Sequence, residues 1–374
     1  MGLVIDTHKH MIGQGDAKRK YFPWQQTWHQ SLNWAYGAVA PNRGMPPFER
    51  DPSILYPKMM SRLDDPEGEW TLKDMDDAGV DASLLLPIDY DFSWGSASDI
   101  TIQEKHEHLS YIQQKYPGRY FGLAGPDPRR PGAVEVFNRG INELKLKGLK
   151  MIPKMGFYAW DEKAYQLFER CLEYDVPAFI CTQPEGGGYN RVRFTDPIHL
   201  DDVIGDFPDM KLVCLHAGAP LYDYLEHALL VCARGNNTAI SLDMWLWGFE
   251  MLVPNFIPNI YTGEEAVVTL LARARDTLGA HRIMWGTDTF SGPRVNGRNV
   301  FGHATGFGMT ELVDWLRRLP ETAAKYGKSF TKEEVDLMLG ENASRFLGIK
   351  EYPEWKRPHR YEYSRRMPPP FRGV

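Results

Sequence analysis

The 374-residue chain carries a net charge of −6, with 43% apolar and 25% charged residues, the make-up of a globular protein that buries a core without disulfide staples. Lys and Arg are scattered rather than gathered in blocks, so neither nucleic acid nor an anionic membrane is expected as a partner. Four separated cysteines (Cys171, Cys181, Cys214, Cys232), no apolar run near the roughly 18 residues of a membrane span, and strand-like sequence from the outset with no room for a signal peptide point to a reducing, cytoplasmic setting.

In chain order, the first apolar run is "LVID" (3–6), which leads directly into "THKH". Residues 11–69, rich in Pro and aromatics, are too long for a simple strand–helix loop and predict a cap over one end of the fold. Strands are then expected at 82–89, 120–128, 148–153, 176–183, 211–216, 238–244 and 282–288. Most are separated by helical patterns, including 134–147, 161–175, 220–235 and 264–279, where apolar residues recur at helical spacing. A second aromatic insertion follows the seventh strand (245–263). The tail 351–374 has neither period, and its aromatics suit wrapping a neighbouring subunit.

Strands alternating with helices predict a parallel sheet, and eight of them predict a distorted (β/α)8 TIM barrel of residues 1–350. An open doubly wound sheet would want a Gly-rich phosphate turn after its first strand, and "DTHKHMIGQG" is not one. In a barrel, reactive residues gather at the C-terminal ends of the strands. Here the strand ends carry Asp6, His8 and His10, then Lys150, then Cys181, Thr182 and Gln183, then His216 and finally Asp288.

Side chains at i and i+2 of a strand point the same way, so Asp6, His8 and His10 are expected on one face, inside the barrel. Two imidazoles so placed suit a divalent metal, and Asp288 on the closing strand would complete a facial set of three. His106 and His108 repeat the spacing within a helical stretch, where i and i+2 diverge by roughly 200°, and are expected to face solvent. Loops after the strands offer Tyr90, Asp91, Trp94, Arg129, Arg130, Glu185, Arg191, Arg193, Trp245 and Trp247 as substrate contacts, with Tyr90, Trp94, Arg191 and Trp245 leading. A guanidinium at the mouth would pair bidentately with a carboxylate.

The stretches "VIDTHKH", "MDDAGVDASLLLP" (75–87), "GLKMIP", "FPDMKLVCLHAGAP", "RIMWGTDTF" (282–290) and "MLGENASRFLGI" (338–349) resemble, in order, the amidohydrolase superfamily. The similar branch is that of aminocarboxymuconate-semialdehyde decarboxylase and the 2,6-dihydroxybenzoate and related aromatic-acid decarboxylases. The resemblance implies that His8, His10 and Asp288 bind a metal, zinc first and iron or manganese as alternatives. It also implies that His216 binds a second metal or acts as acid/base, with Asp288 taking or giving a proton. The family's fifth strand usually ends in a metal-binding His, and this chain has Cys181 there. Three readings of that departure stand open: a Cys181 thiolate ligand, a Lys150 carboxylated by CO2 that supplies the missing anion, or a weakened site in a partner subunit.

The activity expected first is non-oxidative decarboxylation, then hydrolysis, of a small carboxylated molecule. The alternatives are a metal oxygenase subunit similar to 2-aminoisobutyrate hydroxylase, or a non-catalytic partner chain. The expected assembly is a homodimer or a hetero-oligomer with a related chain.

Overall fold

The computed structural model describes residues 2–13, 19, 21, 63–94, 98–184, 191–249, 263–294 and 308–350. The expected cap (11–69), second insertion (245–263) and tail (351–374) lie largely or wholly outside these residues.

All eight expected strands form: β1 (Ile5–His10), β2 (Ala82–Leu85), β3 (Tyr120–Gly122), β4 (Leu149–Met151), β5 (Ala178–Cys181), β6 (Leu212–Leu215), β7 (Thr238–Ser241) and β8 (Ile283–Met284). A short β9 (Thr289–Phe290) follows and pairs with Lys9 and His10, which is why β1 runs on through the histidines rather than ending at Asp6. Most of the other strands are shorter than their apolar runs, because pairing stops where each chain turns into the next loop. Every pairing is parallel, in the orders β3-β2-β1-β9 and β4-β5-β6-β7-β8. Hydrogen bonds join the sheets at both seams. The Lys150 amide donates to the Ala124 carbonyl (2.7 Å), and the Thr7 and Asp288 amides donate to the carbonyls of Trp285 (3.2 Å) and His8 (2.7 Å).

Helices cover the outside, among them α1 (Glu69–Ala78), α2 (Ile102–Lys115), α3 (Ala133–Asn142), α4 (Glu162–Tyr174), α5 (Leu200–Asp206), α6 (Tyr222–Arg234) and α7 (Glu264–Leu278). The start of α2 is fixed by a reciprocal capping box between Thr101 and Glu104. Ile5, Leu84, Phe179, Val213, Ala239 and Met284 form an inner cluster with Ala343 and Phe346 of a late helix, and the larger core lies between strands and helices. All four cysteines are buried as free thiols.

The alternation along β1 is broken by a register irregularity between Asp6 and Lys9. Ile5 belongs to the inner cluster, yet Thr7 and the adjacent His8 both reach interior partners. Thr7 Oγ1 lies 3.2 Å from Ser241 Oγ, and His8 Nε2 lies 3.5 Å from Lys150 Nζ. Asp6 therefore does not share a face with His8 and His10, contrary to the strict period of two. Its carboxylate accepts from the amide (2.8 Å) and hydroxyl (2.7 Å) of Thr287 and from the His8 amide (3.1 Å).

Candidate metal centre

His8 and His10 leave β1 toward the barrel interior, and Asp288 reaches them from the segment after β8. His8 Nε2, His10 Nε2 and Asp288 Oδ1 form a triangle whose three edges are each 3.1 Å. Metal–donor bonds of about 2.1 Å at right angles place donors about 3 Å apart, so the triangle fits one face of an ion's coordination shell.

Proton accounting supports the same reading. His10 Nδ1 is 2.8 Å from the Leu86 carbonyl oxygen, which only accepts, so Nδ1 carries a proton and, in the neutral ring, Nε2 presents a lone pair. Burial disfavours charge on Asp288, but His8, His10 and His216 outweigh it and hold the carboxyl well below its ordinary range, so it is an anion. With the ring neutral, a lone pair and a carboxylate face each other at 3.1 Å, a contact that a cation would relieve.

The surrounding groups are close and buried. His216 Nδ1 lies 3.8 Å from Asp288 Oδ2, and its ring centroid is 4.9 Å from that of His8. Burial holds His8 well below, and His216 below, the ordinary imidazole value, against the pull of nearby carboxylates, so both are neutral at pH 7. Burial likewise lowers Lys150. Cys181, Asp288 and Asp243 oppose the shift and Lys154 deepens it. Cys181 itself is buried at the end of β5.

The backbone at the mouth is specialised. His216 (φ 66°), Ala217 (φ 43°) and Asp288 (φ 46°) all adopt the left-handed region without being glycine, a cost borne where the fold fixes the side chain. Thr182 steadies the turn after β6 by donating to the Leu215 carbonyl (2.6 Å) and accepting from the Gly218 amide (3.0 Å). A Cβ on Gly286 would come within 2.8 Å of His8 Cβ, so only glycine lets the chain before Asp288 pass this close to β1.

The other expected contacts scatter. Tyr90 is buried after β2. Trp245 is buried, donates Nε1–H to the Ala217 carbonyl (3.2 Å), and so lies beside the turn that carries His216. Arg191 is exposed, with its amide bonded to the Lys154 carbonyl. The side chains of Trp94 and Trp247, and Glu185 altogether, fall outside the described residues. Arg129 is paired with Asp127 (2.6 Å), and Arg130 with Asp89 (2.7 Å) and Asp91 (2.8 Å), so an intramolecular acid already takes each guanidinium.

Sequence reasoning missed Asp243, two residues past β7. Its Oδ2 lies 2.5 Å from His8 Nδ1 and 3.3 Å from His216 Nδ1, and the side chain is fully buried. Its signal was a carboxylate at a strand end, the position that drew attention to Asp288.

His106 and His108 correct the expectation of solvent exposure. His106 is 1% exposed and its Nε2 accepts from the Gly125 amide at 2.9 Å. His108 is half-buried, with Nε2 2.8 Å from the Pro66 carbonyl oxygen. The two rings diverge as the helix requires, but α2 packs so that both directions meet protein.

Fold and site together define a parallel (β/α) barrel with a two-histidine, one-carboxylate donor set at the C-terminal ends of its strands. The chain belongs to the amidohydrolase family, whose sequence model matches residues 5–349. Among solved structures it is similar to 5-carboxyvanillate decarboxylase from Sphingomonas paucimobilis, with TM-score 0.58 and 18% identity over 94% of this chain and 100% of that one. It is also similar to a dihydroxybenzoic acid decarboxylase from a Polaromonas species, solved with manganese and 2-nitroresorcinol (TM-score 0.54, 14% identity, 94% and 98% covered). A third similar structure is a probable 2-pyrone-4,6-dicarboxylic acid hydrolase from Acinetobacter baumannii (TM-score 0.51, 12% identity, 92% and 99% covered). These likenesses establish the TIM-barrel fold. No curated protein sequence matches the chain. Among the described residues, no helix is long and apolar enough to cross a membrane.

Proposed function

We propose that this chain is a metal-dependent enzyme that removes CO2 from a small aromatic carboxylate. The observation that carries the proposal is the 3.1 Å triangle of His8 Nε2, His10 Nε2 and Asp288 Oδ1, three donor atoms spaced as the ligands of one ion would be. The carboxylated-phenol substrate class is drawn from the printed substrates of the similar decarboxylases. A divalent ion held by His8, His10 and Asp288 would supply Lewis acidity toward the substrate's oxygens. Zinc and manganese both suit this donor set.

The protein's own groups then have separate tasks. Lys150, buried beside His8, brings a basic amine to the interior and could balance the substrate's charge or accept CO2 as a carbamate. His216 and Asp288 flank the position a substrate would take against the donor triangle. As the bond to the carboxyl carbon breaks and CO2 departs, the ring carbon needs one proton. Neutral His216 has a ring N–H to give, and Asp288, an anion 3.8 Å away, would first have to take up a proton before handing one on. Hydrolysis, in which a bound water would be the nucleophile, is the nearest rival.

The test is direct. The purified chain, loaded with zinc or with manganese and offered 5-carboxyvanillate and 2,6-dihydroxybenzoate, should release CO2 and the decarboxylated phenol. Failure of both metals on a panel of carboxylated phenols, with turnover of a lactone or amide, would replace decarboxylation by hydrolysis.

The donor set favours one second reading. Two histidines and one carboxylate on one face also suit iron that activates O2. Oxygen uptake by the iron-loaded chain, in the absence of CO2 release under anaerobic conditions, would select it.

A further inference from the structure

Asp243 stands outside the triangle yet touches the site at two places, and its role follows from what each contact can be. Its Oδ2 is 2.5 Å from His8 Nδ1 and 3.3 Å from His216 Nδ1. Two ligands of one ion rarely approach so closely, because bonds of about 2.1 Å at right angles keep donors about 3 Å apart. A carboxylate–imidazole pair at this length instead shares a proton. The interaction with His216 is of a different kind. Among the described residues His216 Nδ1 has no hydrogen-bond partner, nor does the second oxygen of Asp243, although both are buried.

We infer that Asp243 is a positioning residue: its carboxylate fixes the proton of His8 on Nδ1, so that Nε2 is held as a lone-pair donor aimed at His10 and Asp288. The Leu86 carbonyl, one residue past β2, anchors the Nδ1–H of His10 in the same way. The two imidazoles are therefore oriented from the two flanks of β1, His10 from the end of β2 and His8 from beyond β7. A ring so anchored cannot swap its nitrogens without losing a buried hydrogen bond. The groups around His8 agree with this assignment. Lys150 Nζ lies 3.5 Å from Nε2, and His10 and Asp288 each lie 3.1 Å from it, so Asp243 is the one carboxylate that meets the Nδ1 side among the described residues. The same oxygen lies within reach of His216, so a shift of Asp243 would disturb the metal-facing and the proton-carrying imidazoles together.

The inference rests on the metal-centre reading for its consequence, but not for its observable. In metal-free protein labelled with [15N]histidine, the His8 signals, assigned with His8→Asn, should report Nδ1–H and an unprotonated Nε2. Asp243→Asn, of equal size, should mix the two tautomers and weaken zinc binding, read by chelator competition, by about 10–100-fold. Asp243→Glu should recover part of that loss, since it restores an acceptor. A wild-type spectrum with Nε2–H overturns the inference even if every variant fails to fold. So does Asp243→Asn with an unchanged tautomer and zinc affinity within about twofold. His8→Ala separates the two ideas: zinc lost there but kept in Asp243→Asn overturns the role of Asp243 alone, whereas zinc kept in His8→Ala overturns the metal centre.

Discussion

Two histidine pairs in this chain share the spacing H-x-H, and both are shielded from solvent, yet they do opposite things. His8 and His10, on β1, point their Nε2 atoms at one another and at Asp288 across 3.1 Å. His106 and His108, on α2, point theirs at the Gly125 amide and the Pro66 carbonyl, on separate segments of chain. Burial does not separate a metal site from a structural histidine. Convergence of lone pairs does, and convergence follows from the two-residue period of a strand against the 3.6-residue period of a helix.

The contrast breaks most sharply on metal content. His8→Ala and His10→Ala should each remove most of the bound metal and lower turnover by about a thousandfold or more, the scale on which losing a catalytic ion is felt. His106→Ala and His108→Ala should keep wild-type stoichiometry by elemental analysis of dialysed protein. Equal metal content in His8→Ala and wild type would erase the distinction between the pairs. Gly286→Ala probes the same centre without touching a donor. Its methyl would meet His8 Cβ at 2.8 Å, so the β1 backbone must yield and zinc affinity should fall by at least tenfold, read by chelator competition.

How far the sequence discloses this centre can be followed along β1. The alternation in "DTHKH" correctly pairs His8 with His10, whose Nε2 atoms converge to 3.1 Å. It misplaces Asp6, because a bulge depends on how two strands register and leaves no mark in a single strand's pattern. The apolar runs locate all eight strands, since strands covered on both faces need continuous apolar sequence. Asp243 was not singled out, because its importance lies in a 2.5 Å contact across 235 positions of chain. Arg130 reads as available to a substrate for the converse reason: Asp89, which claims it, meets it only once β2 and β3 lie side by side, whereas Asp127, which holds Arg129, stands two residues away in the sequence.

The helical pair carries the next effects in size, and these are on stability. His106 is buried and accepts the Gly125 amide, so His106→Ala would strand that donor and open a cavity, for about 2–4 kcal/mol by urea unfolding. Acid should act through the same group. Burial, with Lys105, Arg139 and Arg130 nearby, lowers His106 from 6.5 to about 3. Between those values the unfolded chain binds a proton that the folded chain refuses, so stability falls as pH drops from about 6.5 toward about 3. His106→Gln, which can still accept from Gly125, should flatten the fall by up to about 1.4 kcal/mol per pH unit relative to wild type. An unchanged slope would mean that His106 is not the neutral acceptor its surroundings require.

The smallest effect sharpens the comparison most finely, because His108 touches the chain just past β1 without belonging to the donor triangle. Its ring lies so close over Gly13, three residues past His10, that a Cβ there would come within 2.1 Å of it, and its Nε2 meets the Pro66 carbonyl. A half-buried, single hydrogen bond of this kind is worth about 1 kcal/mol. His108→Ala should therefore cost about that much stability while metal affinity stays within about twofold. If metal affinity falls instead with stability unchanged, the chain beyond His10 is held in place by α2, and the two pairs, opposite in chemistry, are joined through Gly13.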